Sequence, residues 1–411
     1  MPIARILTAA GRGGIEERLA ERFPPQAVAE LLAARDAHCL ALETGDPELA
    51  ARLVDALRAG GAVAWAARTL VATVATRAQL TAAAAGRPAL ADELAALDAA
   101  LGHATQPRPV FRMRERTLDV RTQAHVMGIL NVTPDSFYER VEGPVQAAAR
   151  AAAMAADGAA LVDIGGQSYA HWNPRIAAAE ERSRVVPAVE AIVAAGIDVA
   201  LSIDTFKADV AGAALAAGAH LINDCSGLSD PLLAQTVARY DAALVVMHLK
   251  GELNVRTPHS YVYSDALGEI VEFLYDRTER ARAAGVAAES IAVDPGLEFG
   301  KEPETDLEIL DRFGELMALG YPILFASSRK SFIGRLFDRP AKELLIPSLA
   351  TAGLGIAAGA RMLRVHDVAE TVQLARMYAA VGPGRRRALT FAERMPGTPA
   401  PAGNSAPGST V

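Results

Sequence analysis

The chain has 411 residues, more than one ordinary domain holds, so two domains are expected. With 51% hydrophobic and 22% charged residues it reads as a globular protein with a large core, and a net charge of −7 excludes the basic footprint of a nucleic-acid binder. Its two cysteines, Cys39 and Cys225, fit neither a zinc spacing nor a disulfide framework and suit a reducing cytoplasm.

Charged residues interrupt the N-terminus at Arg5, Arg12, Glu16 and Glu17, so no signal-peptide pattern forms, and no apolar run is long enough to span a bilayer. Residues 1–102 alternate short apolar runs with alanine-rich helical segments. Runs 3–7, 39–42, 62–66 and 70–73 predict strands, and 15–35 and 47–58 have helical spacing. A small α/β domain follows. Its Gly11–Gly14 run lacks both the G-x-G-x-x-G spacing and a Lys-Ser/Thr pair, so a strand-to-helix turn is favoured over a phosphate loop. Residues 103–109 form a polar, proline-bearing linker, 110–120 a hairpin, and the Pro/Gly/Ser/Ala-rich stretch 395–411 a disordered tail.

Between these ends eight short apolar runs recur: 126–132, 161–164, 199–203, 220–222, 243–247, 291–293, 322–326 and 362–365. Each is followed by enough chain for a helix. Eight βα units in about 260 residues fit a closed (β/α)8 TIM barrel over 110–382. An open doubly wound sheet would bring a glycine-rich fingerprint after its first strand, where this chain has Asn131-Val-Thr-Pro-Asp135 instead.

In such barrels, function sits where strands end. Every run here ends in polar groups: Asn131 leading to Asp135, Asp163, Asp204-Thr205, Asn223-Asp224, His248, Asp294, Ser328 to Ser331, and Arg364 to Asp367. Any one of these is an ordinary turn former. Eight crowding one mouth would leave costly unpaired carboxylates unless a polar ligand met them. Asp204, Asn223, Asp294 and Lys330 offer donors and acceptors suited to a flat heterocycle. Asn131, Arg364 and His366 suit a phosphate with a hard metal ion such as Mg2+. No His/Cys cluster suggests zinc, and the Ser-His-Asp order of a nucleophile elbow is absent.

These segments resemble the dihydropteroate synthase family. The matching stretches are 127–137 (MGILNVTPDSF), 163–166 (DIGG), 202–205 (SIDT), 222–224 (IND) with Ser226-Gly227, Met247-His248, Asp294-Pro-Gly296 with Phe299-Gly-Lys301, 328–334 (SRKSFIG) and 364–368 (RVHDV). The resemblance implies condensation of 6-hydroxymethyl-7,8-dihydropterin diphosphate with p-aminobenzoate to dihydropteroate and pyrophosphate, with Mg2+, in a cytoplasmic homodimer. It implies that Asp204, Asn223, Asp294 and Lys330 hold the pterin, that Asn131 helps bind Mg2+, and that Arg364 and His366 hold the diphosphate. Phe137, Phe299 and Ser331 would lie on the aminobenzoate side. Asp135, with Phe137 on a mobile first loop, joins Lys330, Arg364 and His366 as catalytic. Early C–O cleavage, followed by attack of the neutral amine, is the implied chemistry.

Departures from the family fall around the aminobenzoate side. Tyr169 and Ala170 replace the usual Thr and Arg of the second loop, and Tyr138-Glu139-Arg140 replaces a Ser-Asp-Gly-Gly run. The fifth loop (249–256) is longer and more charged, and Ala326 replaces a usual Gly. Two readings stand for Arg175 and Arg140: one of them supplies the missing cation, or both are solvated loop residues. Two other readings are a non-catalytic pterin-binding relative and a pterin-dependent methyltransferase. The Arg364/His366 pair and the absence of an Asp-x-His-x-x-Gly cobalamin motif argue against the methyltransferase.

Overall fold

The computed structural model describes residues 2–7, 12–33, 38–133, 141, 143–169, 173–254 and 261–381, without the side chains of 12–14. Asp135, Phe137, Tyr138 to Arg140, Ala170, Arg256 and the 395–411 tail lie outside the described residues.

Four strands, β1 (Ala4–Ile6), β2 (Cys39–Glu43), β3 (Val63–Ala67) and β4 (Leu70–Val74), form an antiparallel sheet in the order β1-β2-β4-β3. Alternation along β2 sends Leu40 and Leu42 into one core and Cys39 and Ala41 into another, so helices cover both faces. The expected 15–35 helix is two helices, Arg12–Ala20 and Pro25–Ala33. Pro24 and Pro25 break it, because each lacks an N–H and Pro25 bars its predecessor from helical geometry. Residues 12–14 of the glycine run begin the first of these helices.

The helix Ala91–Thr105 runs into the segment expected as a linker, and that segment is pinned to the next domain. His103 Nδ1 lies 2.7 Å from Ala318 O, and Arg108 Nε donates to Gly320 O at 2.8 Å. An ion cluster reinforces the junction. Glu315, fully buried, takes Arg18 at 2.7 Å and Arg312 at 3.0 Å, while Arg5 and Arg312 reach Asp265 at 2.6 and 2.9 Å.

The hairpin β5 (Val110–Met113) and β6 (Arg116–Asp119) leads into the main sheet. That sheet comprises β7 (His125–Asn131), β8 (Leu161–Gly165), β9 (Ala200–Asp204), β10 (Leu221–Asp224), β11 (Ala243–Met247), β12 (Ile291–Asp294), β13 (Leu324–Phe325) and β14 (Met362–Val365). All eight pair in parallel, in the order β12-β11-β10-β9-β8-β7-β14-β13. An isolated parallel bridge between Val293 and Ile323 brings the two edge strands together. The result is a nearly closed TIM-like barrel with helices outside, in which β13 is reduced to two residues.

Phe111, Met113 and Val120 of the hairpin segment pack on Met127, Leu161, Ala200, Leu221, Ala292 and Met362, which form the barrel floor. The hairpin therefore plugs the N-terminal end. No helix among the described residues is long and apolar enough to cross a membrane.

Candidate active site

Strand register lays out the mouth. Asn131 lies opposite Gly165, Gly165 opposite Asp204, and Asp204 opposite Asn223, so four adjacent strands carry one row. One step deeper, Asp163 faces Ser202. Because side chains two apart point the same way, Leu161, Asp163 and Gly165 line one inner face, as do Ala200, Ser202 and Asp204. The interior thus passes from an apolar floor to a polar mouth.

Arg364 joins the two layers. Its Nε donates to Asp163 Oδ2 at 2.6 Å and its Nη2 to Asp204 Oδ2 at 2.7 Å. Ser202 Oγ donates to Asp163 Oδ1 at 2.5 Å, and Asn223 Nδ2 to Asp163 Oδ2 at 3.1 Å. Burial works against the guanidinium charge, but Asp163 and Asp204 outweigh it, so Arg364 stays a cation. Burial also pushes the Asp204 carboxyl upward, against the pull of Arg364 and with help from Asp163. Asp204 Oδ1 is buried and, among the described residues, has no hydrogen-bond partner. An orphaned acceptor of this kind costs about 1–3 kcal/mol. A ligand N–H would satisfy it.

On the opposite wall Asp294 Oδ1 accepts from Gly296 N at 2.6 Å. Burial raises its pKa, and Lys330 opposes the rise. Lys330 Nζ donates to Leu297 O at 2.6 Å and lies 5.3 Å from the Phe299 ring centroid. Asn131 sits at the rim, where a Cβ on Gly165 would press on its Oδ1 at 3.1 Å, close to Asp204. His366 Nδ1 is 3.1 Å from Ser328 Oγ, and burial followed by Arg364 lowers its pKa to about 4. It is therefore a neutral imidazole at neutral pH. Ser331 Oγ donates to Glu298 Oε1 at 2.7 Å, outside the Arg364 network.

Several groups at the mouth have no role predicted from the sequence. Asp163 is the chief partner of Arg364, and its position two residues before Gly165 on one strand is the signal that points to it. Lys301 is buried and donates to Gly296 O at 2.7 Å, to Phe299 O at 3.0 Å and to His248 Nδ1 at 2.9 Å. It fastens the sixth loop to the fifth. Gly296 and Gly300 let the two loops approach this closely. A Cβ at either, both at φ 67°, would meet the backbone oxygens of His248 and Lys250 at 2.0 and 1.9 Å. Lys207 Nζ donates to Gln167 Oε1 at 2.6 Å and Glu181 Oε2 at 2.5 Å.

The two departing loops interlock. Gln167 Nε2 donates to Asn254 Oδ1 at 3.2 Å, and Asn254 Nδ2 to Ser168 O at 2.9 Å. Arg175, one expected source of the missing cation, spends Nη2 on Leu253 O at 2.9 Å. Tyr169 OH donates to Asp204 O at 3.3 Å.

No group of three or more His, Cys, Asp or Glu side chains among the described residues could hold a metal ion. A Mg2+ that arrives with a diphosphate asks less, because one or two protein oxygens suffice beside phosphate and water. Asn131 Oδ1 at the rim is a hard oxygen donor that fits such an ion.

The family of pterin binding enzymes matches residues 127–366 of the chain. The chain belongs to the dihydropteroate synthase family. The Bacillus subtilis dihydropteroate synthase is 37% identical over 282 residues, 68% of this chain and 96% of that protein. A Mycobacterium bovis relative named inactive dihydropteroate synthase 2 is 39% identical over 265 residues, 63% of this chain and 83% of its own. The crystal structure of Xanthomonas albilineans dihydropteroate synthase with 4-aminobenzoic acid superposes with a TM-score of 0.60 at 37% identity, over 66% of this chain and 98% of that one. The pterin-binding match leaves out the four-stranded N-terminal sheet entirely.

Proposed function

We propose that the chain is a dihydropteroate synthase, joining 6-hydroxymethyl-7,8-dihydropterin diphosphate to p-aminobenzoate in folate biosynthesis. The observation that carries this reading is the buried Asp204 Oδ1, which has no hydrogen-bond partner among the described residues, at the strand ends that also carry Asn223, Asp294 and Lys330. A pterin has a ring edge of alternating N–H, NH2 and C=O groups. Asp204 and Asp294 accept from such donors, while Asn223 and Lys330 supply donors to its acceptors. The same carboxylates favour positive charge on the pterin as its bond to the leaving group stretches.

Arg364 and His366 hold the diphosphate. Arg364 keeps Nε and Nη2 on its carboxylates and offers Nη1 to a phosphate oxygen. His366 stays neutral and donates a hydrogen bond. Asn131 holds Mg2+, which when bound offsets charge on the departing diphosphate. Phe299 and Ser331 lie beside the p-aminobenzoate. Asp135 and Phe137 are assigned catalytic and aminobenzoate-side roles on the sequence resemblance alone. The amine attacks unprotonated, so no strong general base is required of these residues.

Exposed apolar side chains at Leu336, Phe337, Ile346, Leu354 and Met377, on the helices that follow β13 and β14, support a homodimer through that face. Both cysteines are free and buried, which fits a reducing cytoplasm. A second reading, a non-catalytic pterin binder, is favoured by the inactive mycobacterial relative at similar identity. One paired experiment separates the two. Purified protein is titrated calorimetrically with 6-hydroxymethyldihydropterin, then given the diphosphate, p-aminobenzoate and Mg2+. Binding with dihydropteroate formation supports the synthase; binding without product supports the second reading.

A further inference from the structure

Glu298 stands on a left-handed backbone, at φ 69°, a region that few residues other than glycine adopt. Its amide donates to Asp306 Oδ1 at 2.9 Å, which fixes that conformation from the far side. The side chain turns toward the start of the helix Ser331–Phe337, where one oxygen, Oε1, accepts from Ser331 Oγ at 2.7 Å and from Phe332 N at 2.9 Å. Phe332 N lies in the first helical turn and so has no partner within its helix. Both donors adjoin Lys330, whose ammonium lies over Phe299, the next residue after Glu298.

This arrangement bears on the second substrate, and the inference rests on the synthase reading. The amine of p-aminobenzoate must reach the pterin carbon held near Asp294 and Lys330. Its carboxylate then stands one benzene ring further out, on the side of Phe299 and Ser331. A carboxylate arriving there needs N–H and O–H donors, and the donors at that spot are Ser331 Oγ and Phe332 N. Glu298 already holds both with the same functional group, and its charge opposes a second anion.

We propose that Glu298 determines specificity for the second substrate: its carboxylate occupies the seat that the carboxylate of p-aminobenzoate requires, so the substrate must displace it. An aromatic amine without a carboxylate does not compete for that seat. The wild-type protein therefore discriminates less between p-aminobenzoate and an uncharged aniline than a protein in which the seat is empty.

The test uses the full chain loaded with 6-hydroxymethyldihydropterin and pyrophosphate with Mg2+. Equilibrium affinity for p-aminobenzoate and for 4-methylaniline is measured in wild type, Glu298→Gly and Glu298→Gln. Glycine suits the left-handed backbone, so this variant is expected to fold. Glu298→Gly should bind p-aminobenzoate about ten-fold more tightly, the worth of one charge-assisted hydrogen bond. Glu298→Gln should shift affinity the same way by less, and 4-methylaniline affinity should not change. Equal p-aminobenzoate affinity in wild type and Glu298→Gly overturns the proposal, as does a parallel gain for 4-methylaniline. Because binding is read apart from turnover, tighter p-aminobenzoate binding in Glu298→Gly, with no dihydropteroate formed by any variant when the dihydropterin diphosphate is supplied in a separate assay, would uphold the role of Glu298 while overturning the synthase reading.

Discussion

At the scale of single residues, the site works by setting charges against burial. Lys330 is the cation that acts most strongly on Asp294, and Lys330→Ala should reduce turnover to near background while the thermal midpoint stays close to wild type. Wild-type activity in that variant would contradict its assigned place. His366 offers a pH test. Burial lowers it from 6.5 to about 4, so between those values the unfolded chain takes up a proton that the folded chain refuses. Its contribution to stability is therefore present above about pH 6.5 and is lost as pH falls toward 4. The drop in urea midpoint from pH 7 to pH 4 should be shallower in His366→Gln than in wild type, and an equal drop would show that His366 titrates normally. Asn131, Asp204, Asn223, Asp294 and Arg364 were legible as candidates because each ends or interrupts an apolar run. Their mutual pairing was not. That Arg364 bridges Asp163 and Asp204 depends on side chains 160 to 201 positions apart in sequence. The seat of Glu298 depends on a turn 33 positions away.

At the scale of elements, hydrophobic period was a good guide to the barrel and a poorer one to its ends. Runs 243–247 and 362–365 coincide with β11 and β14, and each is closed by a histidine, His248 or His366. Run 322–326 shrinks to Leu324–Phe325, because closure of the barrel there rests on one bridge rather than a full ladder. Spacing alone carried the first long helix through Pro24 and Pro25, and it placed the domain boundary at residue 102 where the helix continues to Thr105. The hairpin's role as a floor plug also lay beyond periodicity. Phe111 is fully buried in that floor. Phe111→Ala should cost about 3–5 kcal/mol by urea denaturation, through the cavity it leaves. Pterin affinity at the opposite end should be unaffected, and a comparable loss of affinity would mean that floor and mouth are coupled.

At the scale of the whole molecule, two bodies of different sheet type meet through charge. Glu315 is buried between Arg18 and Arg312, so Glu315→Ala removes the carboxylate that joins an arginine of the N-terminal unit to one of the barrel. Removing one partner of a buried pair costs about 3–5 kcal/mol. The expected result is a lower unfolding midpoint together with faster proteolytic cleavage between the N-terminal sheet and the barrel; an unchanged midpoint would show that the junction does not need the charge. The barrel beyond that junction carries the family match and the polar mouth, and the proposed chemistry takes place there. The most direct measurement is the initial rate of dihydropteroate formation by the purified full chain from dihydropterin diphosphate and p-aminobenzoate, with and without Mg2+. Steady product formation that requires both substrates and Mg2+ is the expected result. A protein that binds the pterin but forms no dihydropteroate under those conditions would contradict the synthase reading.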